Sequence, residues 1–259
     1  MEETERTDRR KKALWGILGG MGPLSSAGFL TTVYRFSLAE AASEQEMSRV
    51  ILISDPDVPD RTEAIAKLGQ MQPKQYEAVK NRLKEQLEAL WAMNVDRIVI
   101  ACVTAHFFLP YLNLPAPIES RICSLISIVC EALRTDHGKY ILLRTNGTRD
   151  ARIFETHPSW NEISDRIISL DDADQELIHR EFLYKIKKEN VRDEQLSMLR
   201  HLLQKYDAHG FVAGCTEVHL HTGELLDKQI RVVDPLWIVA QTIANDSFPD
   251  HKKVLGQVA

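Results

Sequence analysis

The chain has few cysteines, no long apolar run and little charge imbalance, and each shortage excludes a class of protein. Its four cysteines in 259 residues show neither a CxxC pair nor the spacing of a disulfide framework. No apolar run approaches the ~18 residues of a membrane-spanning helix. The net charge of −5 provides no general electrostatic basis for nucleic-acid binding. We therefore expect a cytoplasmic protein with no nucleic-acid and no membrane partner.

The N-terminal segment has only a superficial likeness to a signal peptide. Basic residues 9–12 precede the apolar residues 13–18, but the run breaks at Gly19 and Gly20 before a full apolar region or a cleavage site. Residues 1–12 are charged, which predicts a disordered tail.

Alternating strand-like and helix-like segments predict an α/β protein with mostly parallel sheets flanked by helices. We expect two similar lobes with the active site in the cleft between them. The first lobe is predicted to comprise residues 13–117 plus 226–259, and the second residues 118–225. Strands are predicted at 14–18, 49–54, 97–102, 140–143, 166–170, 211–214 and 229–233. Helices are predicted at 25–42, 62–68, 75–93, 120–134, 175–188, 193–206 and 235–244.

Two of the predicted strands end in a cysteine followed by a threonine. One carries Cys102 and Thr104, and the other carries Cys215 and Thr216. The carboxyl ends of parallel strands are where α/β proteins bind ligands. We therefore expect the two strand ends to face each other and to present both thiols to one crevice.

Three kinds of chemistry are open to such thiols. A nucleophilic cysteine would need a base, which His106 or His219 could supply from four residues away, but this leaves the second thiol without a role. A metal site is also possible, because Cys215, Glu217, His219 and His221 alternate along the chain. The other two cysteines, Cys123 and Cys130, are predicted to be small core residues on one helix face.

The third possibility, proton transfer, uses both thiols. Inverting a stereocentre needs a base on one face of the carbon and an acid on the other. A thiolate can remove the Cα proton while the opposed thiol delivers one, and the roles exchange in the reverse direction. Backbone N–H groups at strand-to-helix turns would stabilise the carbanion.

The ordered motifs resemble the cofactor-independent aspartate/glutamate racemase superfamily, and the aspartate racemase branch most. They span roughly residues 14–245 and read Gly19-Gly-Met-Gly-Pro23, Val58-Pro-Asp-Arg-Thr62, Cys102-x-Thr-Ala-His106, Thr145-x-Gly-Thr148, Tyr184-x-Ile-Lys187, Gly214-Cys-Thr-Glu217 and Val233-Asp-Pro235. The resemblance implies a homodimeric amino-acid racemase that acts on an acidic amino acid without pyridoxal phosphate or metal.

The resemblance also implies roles for individual residues. Cys102 and Cys215 correspond to the catalytic thiols. Arg61 and Lys187 correspond to cations that hold the substrate's side-chain carboxylate. The remaining positions implied to surround the substrate are Met21, Val103, Thr104, Thr145, Thr148 and Thr216.

Three positions depart from the family pattern. Val103 stands where the family usually has Asn, so that side-chain hydrogen bond must be lost or replaced. Arg144 stands where a small residue is usual, and His219 where many relatives have Pro. The alternatives are an isomerase or decarboxylase of a small dicarboxylic acid, or a catalytically silent binding homologue. Gly20-x-Gly22 lacks the third glycine of a dinucleotide loop, which argues against nucleotide binding.

Overall fold

Two parallel four-stranded sheets organise the computed structural model, which describes residues 12–68, 73–187 and 191–246. The first sheet contains β1 (Leu14–Gly19), β2 (Arg49–Ser54), β3 (Arg97–Ile100) and β4 (Ile122–Cys123). The second contains β5 (Tyr140–Leu142), β6 (Ile167–Ile168), β7 (Gly210–Val212) and β8 (Val232–Val233). The spatial orders are β2-β1-β3-β4 and β6-β5-β7-β8, so both sheets have the same topology. The predicted α/β class with two similar halves is confirmed.

Helices connect the strands, as parallel pairing requires. They are α1 (Pro23–Glu40), α2 (Arg61–Leu68), α3 (Pro73–Ala92), α4 (Ala116–Glu119), α5 (Leu125–Arg134), α6 (Asn146–Asp150), α7 (Asp172–Leu177), α8 (Tyr184–Ile186), α9 (Asp193–Lys205), α10 (Thr222–Asp227) and α11 (Pro235–Asp246). Short 3-10 turns follow at Glu44–Glu46, Thr104–Tyr111, Trp160–Glu162, Ser164–Arg166 and Thr216–His221, and a π-type turn at Ile178–Leu183. Among the described residues, no helix combines the length and apolar character needed to cross a bilayer.

The core has three apolar clusters, because each sheet buries both of its faces. Alternation along β1 sends Trp15 and Ile17 to one face and Leu18 to the other. The Trp15 face joins β5 and β7 residues in a central cluster with α1, α5 and α11. The Leu18 face packs against α3, and the outer face of the second sheet packs against α9. The central cluster therefore ties the two halves together.

The predicted helix over residues 120–134 is wrong at its start. Ile122 and Cys123 form β4, which pairs with β3 at the edge of the first sheet. Ser124 then caps α5, because its Oγ accepts the Ser127 N–H at 3.2 Å. Cys123 and Cys130 consequently do not share one helix, although Cys130 is buried in the central cluster and Cys123 packs against it, as predicted for core residues.

The strand pairings also differ from the predicted lobe limits. β4 belongs to the first sheet although it lies beyond residue 117, and β8 belongs to the second sheet although it lies beyond residue 226. Among the described residues after 226, α11 packs mainly against α1 and also contacts α5. Both strands have just two residues, too short for a recognisable alternation pattern. The predicted tail at residues 1–12 lies, apart from Lys12, outside the described residues.

Gly20 gives a test of the loop that follows β1. Its φ is +86°, and a Cβ placed there would lie 2.1 Å from the Asp55 backbone nitrogen. We expect Gly20→Ala to lower the free energy of unfolding by at least about 1–2 kcal/mol, measured by urea denaturation. The matched control is Gly223→Ala in α10, where the nearest atoms lie 3.7 Å away and the change should be neutral or stabilising. Equal stabilities for the two variants would contradict this account of the loop.

Candidate active site

Both cysteine motifs lie at the carboxyl ends of central strands. Cys102 follows β3, and Cys215 follows β7, the equivalent strand of the second sheet. The loops after β1 and β5 bring Met21 and Thr145 beside them. In each half this is the point at which the strand order reverses direction, where a crevice opens in parallel sheets.

One cleft of about 400 Å³, including its solvent-facing mouth, receives both thiols. The predicted site residues in its wall are Cys102, Cys215, Met21, Arg61, Val103, Thr104, Thr145, Lys187 and Thr216. Thr148 lies behind the wall and is fully buried. The two cysteine motifs, which are far apart along the chain, therefore lie close together in space.

Thr148 supports the wall through hydrogen bonds. Its Oγ1 lies 3.0 Å from Thr104 Oγ1 and 3.1 Å from Thr145 Oγ1. Its N–H also donates to Thr145 Oγ1, which caps the start of α6. Thr148 thus orients the hydroxyls of Thr104 and Thr145, two residues of the cleft wall that come from different halves of the molecule.

Arg61 begins α2 and is held by backbone carbonyls. Nη2 donates to the Met21 carbonyl at 2.6 Å, and Nη1 donates to the Pro59 and Val58 carbonyls at 3.2 and 3.4 Å. Nε is buried without a hydrogen-bond partner. Burial acts to lower the pKa of the guanidinium, but the charges of Cys102 and Asp60 raise it overall. Arg61 is therefore a fixed cation beside Cys102.

Cys215 has the opposite kind of neighbour. Its Sγ donates to Glu217 Oε2 at 2.8 Å, in a buried contact. Burial, and then the charge and hydrogen bond of Glu217, raise the pKa of the Cys215 thiol well above its ordinary value. Glu217 Oε1 in turn lies 3.8 Å from Lys187 Nζ. The two thiols therefore differ electrostatically, one beside a cation and the other beside a carboxylate.

Lys187 follows α8 and stands over the Tyr184 ring, 4.7 Å from its centroid. Burial acts to lower the pKa of Lys187, but Glu217 and Cys215 raise it overall. Lys187 therefore stays charged and is the cation nearest to the Glu217 carboxylate.

Sequence reasoning assigned no role in substrate binding or proton transfer to four further residues of the wall, which are Asp60, Thr62, Tyr184 and Glu217. Signals for them existed. Asp60 and Thr62 flank Arg61, and Tyr184 precedes Lys187 by three residues, a spacing that shares a helix face. Glu217 was named only as part of a motif and as a metal ligand.

His106 is not placed to act as a base. Its Nε2 accepts the Leu125 N–H at 3.1 Å, so its Nδ1 carries the proton and donates to the Cys102 carbonyl at 2.9 Å. Burial lowers the pKa of His106 to about 4, so the ring is neutral. His219 is engaged as well, by Asp234 at 2.7 Å and by Thr32 at 3.0 Å. The cysteine–histidine alternative gains no support from this geometry.

The metal alternative fails because the chain turns where a strand was required. Residues Thr216–His221 form a 3-10 turn, which sends their side chains in different directions. His219 turns to Asp234, and His221 lies 3.4 Å from the Ile186 carbonyl. Within the part of the chain that the structure describes, no cluster of three or more His, Cys, Asp or Glu side chains could hold a metal ion.

Two of the unusual positions are accounted for. Arg144 does not line the cleft; its Nη1 pairs with Glu155 Oε1 at 2.7 Å. Val103 lines the cleft and also packs in the central apolar cluster, with 2% of its surface exposed. Val103 therefore gives the wall an apolar surface between Cys102 and Thr104.

The comparisons with known proteins point to one family. The profile described as Asp/Glu/Hydantoin racemase matches residues 18–243. Aspartate racemase from Picrophilus torridus is similar with a TM-score of 0.70 at 20% identity, covering 91% of this chain and 94% of that chain. An aspartate racemase homologue from Pyrococcus horikoshii OT3 gives 0.65 at 19% identity, covering 92% and 99%. Glutamate racemase from Francisella tularensis gives 0.55 at 10% identity, covering 92% and 81%. At these identities the structural likenesses show a shared fold.

His106 predicts how stability depends on pH. Its pKa is about 4 in the folded chain against an ordinary value of 6.5, so the unfolded chain binds the proton more readily. The free energy of unfolding should therefore fall as pH drops from about 6.5 to about 4, by up to about 3 kcal/mol from this residue. Urea denaturation across this range measures the slope.

The matched variant is His106→Gln, which cannot titrate. It should be less stable near neutral pH, because a buried hydrogen bond is lost, but its stability should fall less steeply with acid. All other ionisable groups are shared by the two proteins, so the difference between the two curves isolates His106. Parallel curves would show that His106 does not titrate in the way described.

Proposed function

Because the chain belongs to the Asp/Glu/Hydantoin racemase family, as its motifs predicted, we propose that it racemises aspartate, glutamate or a close analogue by proton transfer between Cα and two thiols. Racemases are isomerases, so membership of this family also gives the enzyme class. The substrate, the residue roles and the mechanism are the content of the proposal.

One observation carries the proposal: Cys102 and Cys215 come from equivalent strands of two sheets and line one cleft. A thiolate at one cysteine removes the Cα proton, and the thiol of the other delivers a proton to the opposite face. In the reverse direction the two sulfurs exchange roles. The hydrogen bond from the Cys215 Sγ to Glu217 supports a thiol at Cys215 as the proton donor.

The polar wall supports an acidic substrate. Lys187 and Arg61 supply positive charge for carboxylates. The hydroxyls of Thr104, Thr145 and Thr216 supply hydrogen bonds for the amino and carboxylate groups at Cα. Lys187 must exchange its Glu217 contact for a substrate carboxylate, whereas Arg61 keeps its carbonyl contacts and has only its remaining N–H groups to offer.

The proposal retains two expectations from the sequence. A cytoplasmic location is supported by the low cysteine content, four residues in 259, whose spacing does not suggest a disulfide framework. A homodimer is supported by the resemblance to the racemase superfamily, and a native mass measurement tests it.

Exchange of the Cα proton with deuterated solvent tests the reaction across a panel of amino acids. We expect exchange and inversion of an acidic amino acid by the wild-type chain. Cys102→Ser and Cys215→Ser should each reduce racemisation at least about 100-fold, because either change removes one proton-transfer group. Cys123→Ser is the matched control, since Cys123 lies in β4 away from the cleft, and it should retain activity.

Other outcomes have distinct meanings. Full activity in both cleft variants would overturn the two-thiol mechanism. Release of carbon dioxide from a dicarboxylic acid would identify a decarboxylase. Binding of an acidic amino acid with no exchange at Cα would identify a catalytically silent homologue, and Val103 would then be the first position to revert to Asn.

A further inference from the structure

Glu217 is the one acidic side chain of the cleft that contacts a thiol directly, within the residues that the structure describes. It is 7% exposed, and its two oxygens have different partners. Oε2 accepts the Cys215 S–H at 2.8 Å, while Oε1 faces Lys187 Nζ at 3.8 Å. The carboxylate thus lies between a proton donor that titrates and a cation that stays charged.

The position of Glu217 is fixed by its surroundings. It is the second residue of the short 3-10 turn Thr216–His221, and a Cβ placed on Gly22 would lie 2.9 Å from Glu217 Oε1. The glycine loop of the first half therefore leaves room for this carboxylate and for nothing larger at residue 22. The contact between Glu217 and Cys215 lies within the second half and is bordered by the glycine loop of the first.

We propose that Glu217 is a positioning residue that keeps the proton on the Cys215 sulfur and so disfavours the form of the site that has a thiolate at Cys215. This inference rests on the proposed racemase function. The charged and titratable groups that face the pair are Lys187, Arg61, Asp60, Tyr184 and Cys102. Of the two cations, Lys187 acts on Cys215, whereas Arg61 interacts with Cys102.

The proton balance gives this asymmetry a kinetic consequence. In one direction the Cα proton passes to Cys102, and the Cys215 proton passes to Cα. Cys102 is then a thiol, and Cys215 is a thiolate beside Glu217. Release of a proton from Cys102 to water and uptake of one by Cys215 from water restore the form that began this turnover.

The two enantiomers therefore bind to different protonation states of the enzyme, and these two states differ in free energy. The enantiomer that uses Cys102 as base meets the favoured state and should have the lower KM and the lower kcat. Its mirror image binds the state with a Cys215 thiolate beside Glu217, which raises both constants. The two ratios kcat/KM must stay equal, because enantiomers have equal free energies in water.

The direct test is a pH titration of thiolate absorbance in the Cys102→Ser background, with and without Glu217→Gln. Subtracting the two curves isolates Cys215 from Cys123 and Cys130. Removing the neighbouring negative charge while Lys187 remains should lower the Cys215 midpoint by at least about one pH unit. Glu224→Gln is the matched control, since its half-exposed carboxylate lies outside the cleft and should leave the midpoint unchanged.

A second variant reverses the sign and guards against a folding defect. Lys187→Met removes the cation that favours the thiolate, so it should raise the Cys215 midpoint. In the otherwise native chain, Glu217→Gln should also bring the kcat values of the two enantiomers closer together. An unmoved midpoint, or movement in the same direction in both variants, would overturn the inference.

The experiment separates the two levels of the argument. Racemisation by the wild-type chain without a midpoint shift would leave the proposed function standing and remove this role for Glu217. A midpoint shift without racemisation of any acidic amino acid would leave the local arrangement standing and remove the proposed function.

Discussion

A short set of hydrogen bonds between the two halves of the molecule fixes the cleft. Thr104 meets Thr148, Thr216 Oγ1 donates to the Ala101 carbonyl at 3.3 Å, and Ser25 Oγ donates to the Thr216 carbonyl at 2.6 Å. Each bond joins a residue of the first half to one of the second, and each lies within a few residues of a cleft cysteine or of the glycine loop. The central apolar cluster joins the two halves, and these bonds set the local register between the loops that carry Cys102 and Cys215. The register between the halves is therefore the constraint on which the site depends.

The two halves have the same backbone topology, but the charged side chains around their thiols differ. The two sheets share one topology and present their thiols from equivalent loops. The polar neighbours are not equivalent, since Arg61 lies beside one sulfur and Glu217 beside the other. The fold supplies two similar positions, and the side chains give each of them a neighbour of different charge. The difference resides in a handful of loop residues, so it can change without disturbing either sheet.

The sequence was sufficient for the fold class and for most of the cleft wall, because these depend on local patterns. Long β-branched runs and the Cys–Thr pairs mark strand ends, and the carboxyl ends of parallel strands converge. The sequence could not show which strands pair with each other or which groups bind a given side chain. The two-residue strand at Ile122–Cys123 has no period of its own, and nothing local shows that β8 pairs with β7. His106 was read as a candidate base, because only coordinates reveal that both of its ring nitrogens are occupied.

The way in which Arg61 is held has a thermodynamic consequence for any ligand. Its side chain is already ordered by three carbonyl groups, so little rotamer entropy remains to be lost when an anion arrives. Lys187 offers the opposite case, because an incoming anion must displace Glu217 from its vicinity and leave that carboxylate in a nearly closed space. A ligand carboxylate that binds at this end of the cleft thus replaces the Glu217 carboxylate beside Lys187. Weak, salt-sensitive and readily reversible occupancy is the natural outcome, which suits a site that must release a product almost identical to what it took in.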